Sequence, residues 1–228
     1  MMAQGRATFH HELADLEVAA LGGIDLVAGQ LDRTLEALEH QDLELAALVI
    51  GDDDRIDGRY LEVHQGVLSL LALQAPVASD LRLIAALLHV IKHVERMGDQ
   101  CVNIAKILPL AGPPPPRTGQ LTGRLLQMGH VARSQCEKAR DSFAARDVLA
   151  AEDLVRSDDE INALNREIFQ VAVGMGEDAS MREWAMHMTF VARWLERVGD
   201  GAVDIGEQTA FLVTGLFREF SDSSHPVT

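Results

Sequence analysis

The chain has few aromatic and few basic residues, and both shortages limit what it can do. Aromatic residues make up 4% of its 228 residues, so leucine, valine, isoleucine, alanine and methionine must fill the core. Lysine and arginine number 20 against 35 aspartate and glutamate, which gives a formal net charge of −15. Such an excess of negative charge repels nucleic-acid phosphates and anionic lipids. We therefore expect no nucleic-acid partner, and expect cations or basic protein surfaces instead.

Cysteine and long apolar runs are also scarce. The two cysteines, Cys101 and Cys136, are too few for a disulfide framework, which favours a reducing, cytoplasmic location. The longest uncharged apolar stretch, residues 67–79, contains Pro76 and is too short to span a bilayer. The sequence therefore predicts a cytoplasmic protein without a transmembrane segment.

The apolar residues follow a helical period. No part of the chain alternates polar and apolar residues over the length of a strand, whereas apolar residues recur at steps of three and four throughout. We expect an all-α fold of six long helices. Their predicted ranges are 8–40, 42–73, 76–108, 118–145, 147–173 and a last helix that begins at a capping box formed by Ser180 and Glu183.

The second half of the chain repeats the first. The stretch Glu95-Arg96-Met97-Gly98-Asp99 returns 101 residues later as Glu196-Arg197-Val198-Gly199-Asp200. The acidic segment 53–57 likewise matches 158–162, 105 residues further on. A tandem repeat of a three-helix unit with short turns predicts two similar three-helix bundles.

The boundary between the repeats is marked by proline. Pro113–Pro116 cannot continue a helix and favour an extended, stiff spacer. We therefore divide the chain into a first repeat, a proline-rich linker and a second repeat. Their predicted ranges are 1–112, 113–117 and 118–228.

Each half carries carboxylates at matching helical positions. The candidates are Asp53, Asp57, Glu95 and Asp99 in the first half, and Asp158, Glu196, Asp200 and Asp204 in the second. Asp53 and Asp158 occupy apolar seam positions, where a carboxylate is costly unless it is paired or bound to metal. Oxygen donors suit magnesium, manganese, calcium or iron better than a structural zinc site. A solvated acidic face is the alternative for each pair, but repetition in register favours metal or partner binding.

Other candidate residues carry less weight. His89 and His93 lie four residues apart, but their equivalents in the second half are Phe190 and Trp194, so a packed or solvated role is expected. Cys101 lies on the apolar stripe and is expected to be a small buried hydrophobe. No glutamate has a histidine three residues later, the pattern of ferritin-like di-metal enzymes. We therefore expect a non-enzymatic protein.

The motif Glu95–Asp99, preceded by Leu73–Arg82 and repeated at Glu196–Asp200, resembles the PhoU family of phosphate-regulon regulators. The resemblance covers residues from about Phe9 to Phe220 and implies two similar three-helix bundles. It also implies metal clusters on the bundle surface, held by E(D)xxxD motifs, with iron, zinc, manganese or magnesium as the metal. The implied ligands are Asp53 and Asp57 with Glu95 and Asp99, and Asp158 with Glu196 and Asp200. Asn162 departs from the motif, and Asp204 is the candidate replacement.

The same resemblance implies a function. Members of this family restrain phosphate uptake and phosphate-starvation signalling as cytoplasmic, often homodimeric adaptors. The implied partners are a PhoR-type sensor histidine kinase and the ATPase subunit of the phosphate ABC transporter. The residues themselves leave two alternatives open: a carboxylate-bridged metal hydrolase or oxidase, and a metal-free helical scaffold.

Overall fold

The computed structural model describes residues 2–73, 76–115 and 118–220, and every regular element in these ranges is a helix. The helices are α1 (Met2–His40), α2 (Leu43–Gly51), α3 (Asp54–Leu73), α4 (Ala78–Ala111), α5 (Gly119–Ala145), α6 (Val148–Glu152), α7 (Leu154–Met175) and α8 (Ala179–Thr214). The predicted all-α fold is therefore confirmed. Pro116 and Arg117 of the predicted linker, and the tail 221–228, lie outside the described residues.

The second helix of each bundle is interrupted once, so the prediction of continuous helices over 42–73 and 147–173 is wrong. Asp52 and Asp53 separate α2 from α3, and Asp153 separates α6 from α7. Aspartate side chains compete for nearby backbone hydrogen bonds and so lower helix propensity. With α2 and α3 counted as one helix, and α6 and α7 as another, the described residues form the predicted six long helices.

The turn that enters this interrupted helix is the same in both bundles. Gln41 and Arg146, 105 residues apart, have φ angles of 52° and 57°, in the left-handed region. The residue that follows each of them, Asp42 or Asp147, is the N-cap and accepts hydrogen bonds from backbone N–H groups of the new helix. The internal repeat thus extends to the backbone conformation of a turn.

The last helix has a different cap from the one that its sequence predicts. Asp178, not Ser180, is the N-cap of α8, and its Oδ1 accepts from the backbone N–H of Ser180 at 2.8 Å. The predicted Ser180–Glu183 capping box is wrong, because the charged acceptor two residues earlier already satisfies this helix end.

The two bundles pack against each other and share one hydrophobic core. The contacts between bundles run through α1 and α4 of the first and α5 and α8 of the second. Gly201 on α8 allows a close approach to α4, because a Cβ atom there would lie 2.7 Å from Cγ of the buried Met97 on α4. This packing sets the position of one acidic motif relative to the other.

The described part of the chain also bears on membrane insertion. Among the helices given above, none combines the length and the apolar character that crossing a bilayer requires.

Candidate functional site

The first acidic cluster lies where the break between α2 and α3 meets α4. A Cβ atom on Gly98 would lie 3.2 Å from Oδ1 of Asp53 and 3.0 Å from Cδ1 of Ile56. Because Gly98 has no side chain, α4 can pack closely against the break between α2 and α3. Asp99, next to Gly98, lies close enough to Asp53 and Asp57 for the charges to act on one another, and Glu95 lies one turn away on the same helix.

The carboxylates of the first cluster repel one another. Burial raises the pKa of Asp53, and the charges of Asp57 and Asp99 raise it further, while a hydrogen bond from Gln30 opposes them. Burial also raises the pKa of Asp99, with further contributions from Glu95 and Asp57. Of this group, Glu95 has a close basic partner, because Lys92 Nζ lies 2.6 Å from its Oε2. A cation would relieve the remaining repulsion.

The second cluster forms a cleft of about 430 Å³ between α7, α8 and the segment after α8. The lining includes all the predicted residues of this half, namely Asp158, Glu196, Asp200 and Asp204, together with Asn162. The structure therefore brings Asp204 to the same surface as the E(D)xxxD residues. Asn162 donates from Nδ2 to Oδ2 of Asp158 at 2.9 Å, so it supports this carboxylate instead of adding a charge.

The glutamate of the second cluster, Glu196, is more buried than Glu95, the glutamate of the first. Glu196 is 8% exposed, accepts from Asn165 Nδ2 at 2.9 Å and forms an ion pair with Arg193. Burial raises the pKa of Asp200 to about 6, and the negative charges of Glu196 and Asp204 add to the effect. Asp200 is therefore the carboxylate of this cluster whose charge responds to pH just below neutrality.

The basic partners of the two glutamates repeat as well. Lys92 and Arg193 are 101 residues apart, and each pairs with the glutamate three residues later. Sequence reasoning missed them, although their spacing to Glu95 and Glu196 is visible in the sequence. In each cluster a basic side chain therefore already compensates the charge of the glutamate without a metal ion.

Two further acidic residues that sequence reasoning missed border the cleft, Glu207 on α8 and Glu219 in the segment that follows α8. Gly215, with a φ angle of 75°, ends α8, and the backbone N–H of Phe220 donates to Oε1 of Glu207 at 2.7 Å. Glu207 and Glu219 both line the cleft. Burial raises the pKa of Glu207, and the N–H of Phe220 opposes that shift. Comparison of the two repeats did not identify either residue.

The donor sets suit a hard cation by chemistry but are not arranged as a finished metal site. Carboxylate oxygens are the ligands that magnesium, manganese and iron accept, and both clusters hold several of them. Within the described ranges, however, no three acidic, histidine or cysteine side chains are grouped so that they could hold a metal ion. Binding would require some carboxylates to turn, with Glu95 and Glu196 released from Lys92 and Arg193. Metal ligation by the eight acidic residues stays a prediction.

Comparison with known proteins decides the family. The model of the PhoU domain matches residues 24–108 and again residues 125–209. The chain belongs to the PhoU family. The resemblance drawn from the repeated motif is therefore confirmed, and the two matches correspond to the two three-helix units.

The similarity to other PhoU proteins extends over nearly the whole chain. The phosphate-specific transport system accessory protein PhoU homolog of Clostridium acetobutylicum is 30% identical over 220 residues, which cover 95% of this chain and 99% of that protein. PhoU homolog 2 of Mycobacterium tuberculosis is 30% identical over 93% of this chain and 99% of its own length. The crystal structure of the phosphate transport system regulatory protein PhoU from Streptococcus pneumoniae has a TM-score of 0.84 at 27% identity, covering 92% of this chain and 99% of that chain. The crystal structure of PhoU from Pseudomonas aeruginosa has a TM-score of 0.83 at 27% identity, over 91% and 100%.

Proposed function

We propose that this protein is a non-enzymatic negative regulator of phosphate transport and of the phosphate regulon. It acts in the cytoplasm as a homodimeric adaptor that contacts the ATPase subunit of the phosphate ABC transporter and a PhoR-type sensor histidine kinase. The printed names of its relatives, which are accessory and regulatory proteins of phosphate transport, support the transport role. The partners follow from the family resemblance alone.

We further propose that the acidic clusters bind metal ions when the protein is active. The observation that carries this proposal is the second cleft, where Asp158, Glu196, Asp200 and Asp204 line one cavity. Burial, with the charges of Glu196 and Asp204 added to it, raises the pKa of Asp200, and a bound cation would offset this unfavourable environment of the charged form. Iron, zinc, manganese and magnesium are the candidate ions, with the oxygen donors favouring manganese, magnesium or iron.

Metal content measured by elemental analysis tests the metal role. The protein is purified without chelator as wild type, as Glu95→Gln with Asp99→Asn, and as Glu196→Gln with Asp200→Asn. We expect occupancy to fall by about half in each double variant, because each removes two ligands from one of two similar sites. Unchanged occupancy in both variants would contradict the proposal.

A matched control comes from α5. Glu137 and Asp141 have the same four-residue spacing, are exposed and pair with Arg133 and Arg140, away from both clusters. Glu137→Gln with Asp141→Asn removes the same charge from the chain and should leave metal content unchanged. A loss as large as in the cluster variants would mean that net charge, not a site, retains the metal.

The metal-free scaffold has one observation in its favour. Lys92 and Arg193 already neutralise Glu95 and Glu196, as they would in an acidic surface that is read directly by a partner. Pull-down of the transporter ATPase and the kinase, with and without chelator, separates the two functions. Binding that survives chelation favours the scaffold, and binding that chelation abolishes favours the metal-bearing adaptor. Phosphatase turnover by the metal-loaded protein would instead identify an enzyme.

A further inference from the structure

A buried glutamine occupies the same place in the first helix of each bundle. Gln30 lies on α1 and Gln135 on α5, 105 residues apart, the same spacing that separates Asp53 from Asp158. Gln30 is 1% exposed and Gln135 is fully buried. Polar side chains are seldom buried without a hydrogen-bonding role. A buried glutamine at the same position of both bundles therefore indicates a structural or functional role.

The two side-chain amides make the same backbone contact. Gln30 Nε2 donates to the carbonyl of Val49 at 3.2 Å, and Gln135 Nε2 donates to the carbonyl of Leu154 at 3.4 Å. Each of these carbonyls belongs to the residue four positions before the seam aspartate. The glutamine therefore ties the first helix of its bundle to the backbone that carries Asp53 or Asp158.

Gln30 also contacts its seam carboxylate directly, whereas Gln135 lies near its counterpart. Gln30 Nε2 donates to Oδ1 of Asp53 at 3.3 Å. In the second bundle, a Cβ atom on Gly199 would lie 2.8 Å from Oε1 of Gln135 and 3.7 Å from Oδ1 of Asp158, so these two oxygens border the same point. Gly98 and Gly199 leave room for this arrangement, because their missing Cβ atoms would occupy the space beside the carboxylates.

This arrangement is unfavourable for stability in both bundles. Within the described part of the chain, Oε1 of Gln30 and Oε1 of Gln135 are buried without a hydrogen-bond partner. Leaving a buried acceptor unsatisfied is unfavourable. Rotating the amide of Gln30 would be worse, because its oxygen would then face the carbonyl of Val49 and the carboxylate of Asp53. The acceptors therefore determine the orientation of the amide.

We propose that Gln30 is a positioning residue that holds the side chain of Asp53 in one rotamer, directed at the first acidic cluster, while Gln135 holds only the backbone that carries Asp158. A neutral amide suits this task, because it orients a carboxylate without neutralising the charge that a cation would use. Lysine or arginine at this position would form an ion pair instead, as Lys92 does with Glu95. The consequence for metal affinity rests on the proposed function, whereas the rotamer does not.

The test measures the χ1 rotamer of Asp53 by three-bond NMR couplings in the metal-free, full-length protein. Gln30→Met keeps the length and burial of the side chain and removes the amide. The control is Gln208→Met, because Gln208 is also buried and lies outside both acidic clusters. We expect one χ1 rotamer in the wild type and in Gln208→Met, and averaging between rotamers in Gln30→Met. A single unchanged rotamer in Gln30→Met would overturn the proposal.

A second measurement separates positioning from a merely structural role. Mn²⁺ affinity of the first cluster is measured in the background Glu196→Gln with Asp200→Asn, with and without Gln30→Met. Loss of an outer partner of a metal ligand typically weakens affinity by roughly 10- to 100-fold, and we expect a loss in this range. Equal affinities with measurable Mn²⁺ binding would overturn the positioning role. Should the wild type bind no Mn²⁺, the metal proposal fails and the rotamer measurement alone decides the role of Gln30. If Gln30→Met does not fold, Gln30→Leu, which also removes the amide, provides the same decision from the χ1 rotamer of Asp53.

Discussion

His93 of the first bundle contacts Asp204 of the second, with Nδ1 of His93 3.0 Å from Oδ2 of Asp204. The histidine is on α4 and the aspartate on α8, two of the four helices through which the bundles contact each other. The pair has no equivalent elsewhere in the repeat, because the matching residues are Trp194 and Asn103. The second acidic cleft therefore borders on the first bundle. A change in the charge of Asp204 alters a contact between the two bundles.

A double-mutant cycle should detect this pair. We expect His93→Leu and Asp204→Asn to show a coupling of about 0.5–1 kcal/mol in the free energy of unfolding, in the range of contacts between partly exposed polar side chains. The Asp204 side chain is 44% exposed and that of His93 is 18% exposed, which limits the value. Urea unfolding of the wild type, the two single variants and the double variant gives the coupling. Strictly additive effects would mean that the contact contributes nothing.

Gly199 should not tolerate a methyl group. A Cβ atom there would lie 2.7 Å from Cδ1 of Ile161 and 2.8 Å from Oε1 of Gln135, so the neighbours would have to move. We expect Gly199→Ala to lower the free energy of unfolding by roughly 1–3 kcal/mol, as overpacking does in other cores. The measurement is the midpoint of urea or thermal unfolding.

The matched control for this substitution is Gly22 of α1. A Cβ atom at Gly22 would have no heavy atom within 4 Å. Alanine in a helix interior stabilises the folded protein relative to glycine by roughly 0.5–1 kcal/mol. We therefore expect Gly22→Ala to raise the free energy of unfolding. Equal effects of the two substitutions would show that close packing at Gly199 is not what excludes a side chain there.

The raised pKa of Asp200 predicts how stability depends on pH. In the folded protein this carboxyl takes up a proton below about pH 6, whereas the ordinary value for the unfolded chain is 3.8. Between these values the folded state binds more protons, so the free energy of unfolding falls as the pH rises and stays lower above pH 6. The Asp200→Asn variant should therefore be more stable than the wild type at neutral pH, with a smaller difference near pH 4.

Chelator-treated protein is the sample for that comparison, because a bound cation would itself hold Asp200 in its charged form. Urea unfolding of wild type and Asp200→Asn at several pH values between about 4 and about 7.5 gives the difference directly. Other carboxyls with raised pKa values, such as Asp53 and Glu207, titrate in both proteins and cancel in the difference. A difference that does not change with pH would contradict the raised pKa of Asp200.

The two cysteines should be inert in the folded protein. Burial raises the pKa of Cys136 to about 12 and raises that of Cys101 as well, so neither forms the reactive thiolate near neutral pH. We expect Ellman's reagent to label native protein only as fast as the core opens, and to label both thiols promptly in urea. Labelling of native protein within the mixing time would show that a thiol is accessible.

Several features of this protein are determined by the sequence alone. Apolar spacing at three and four residues predicts the helices, because a helix that buries one face needs that period. The repeated motif predicts the two bundles, and the PhoU family match to residues 24–108 and 125–209 agrees with it. The carboxylates of the second cluster, including Asp204, were recognised from spacing, because residues four apart on one helix share a face.

Tertiary structure decided what happens between helices. Neither the period nor the repeat predicts that Gln30 reaches Asp53, that His93 reaches Asp204 or that Glu207 receives a hydrogen bond from the chain after α8. The breaks at Asp52 and Asp153 were also missed, because the apolar stripe continues through them. Local periodicity reports which face of a helix is buried. Which side chains meet across that face depends on how closely the helices approach, and here Gly98, Gly199 and Gly201 set that distance.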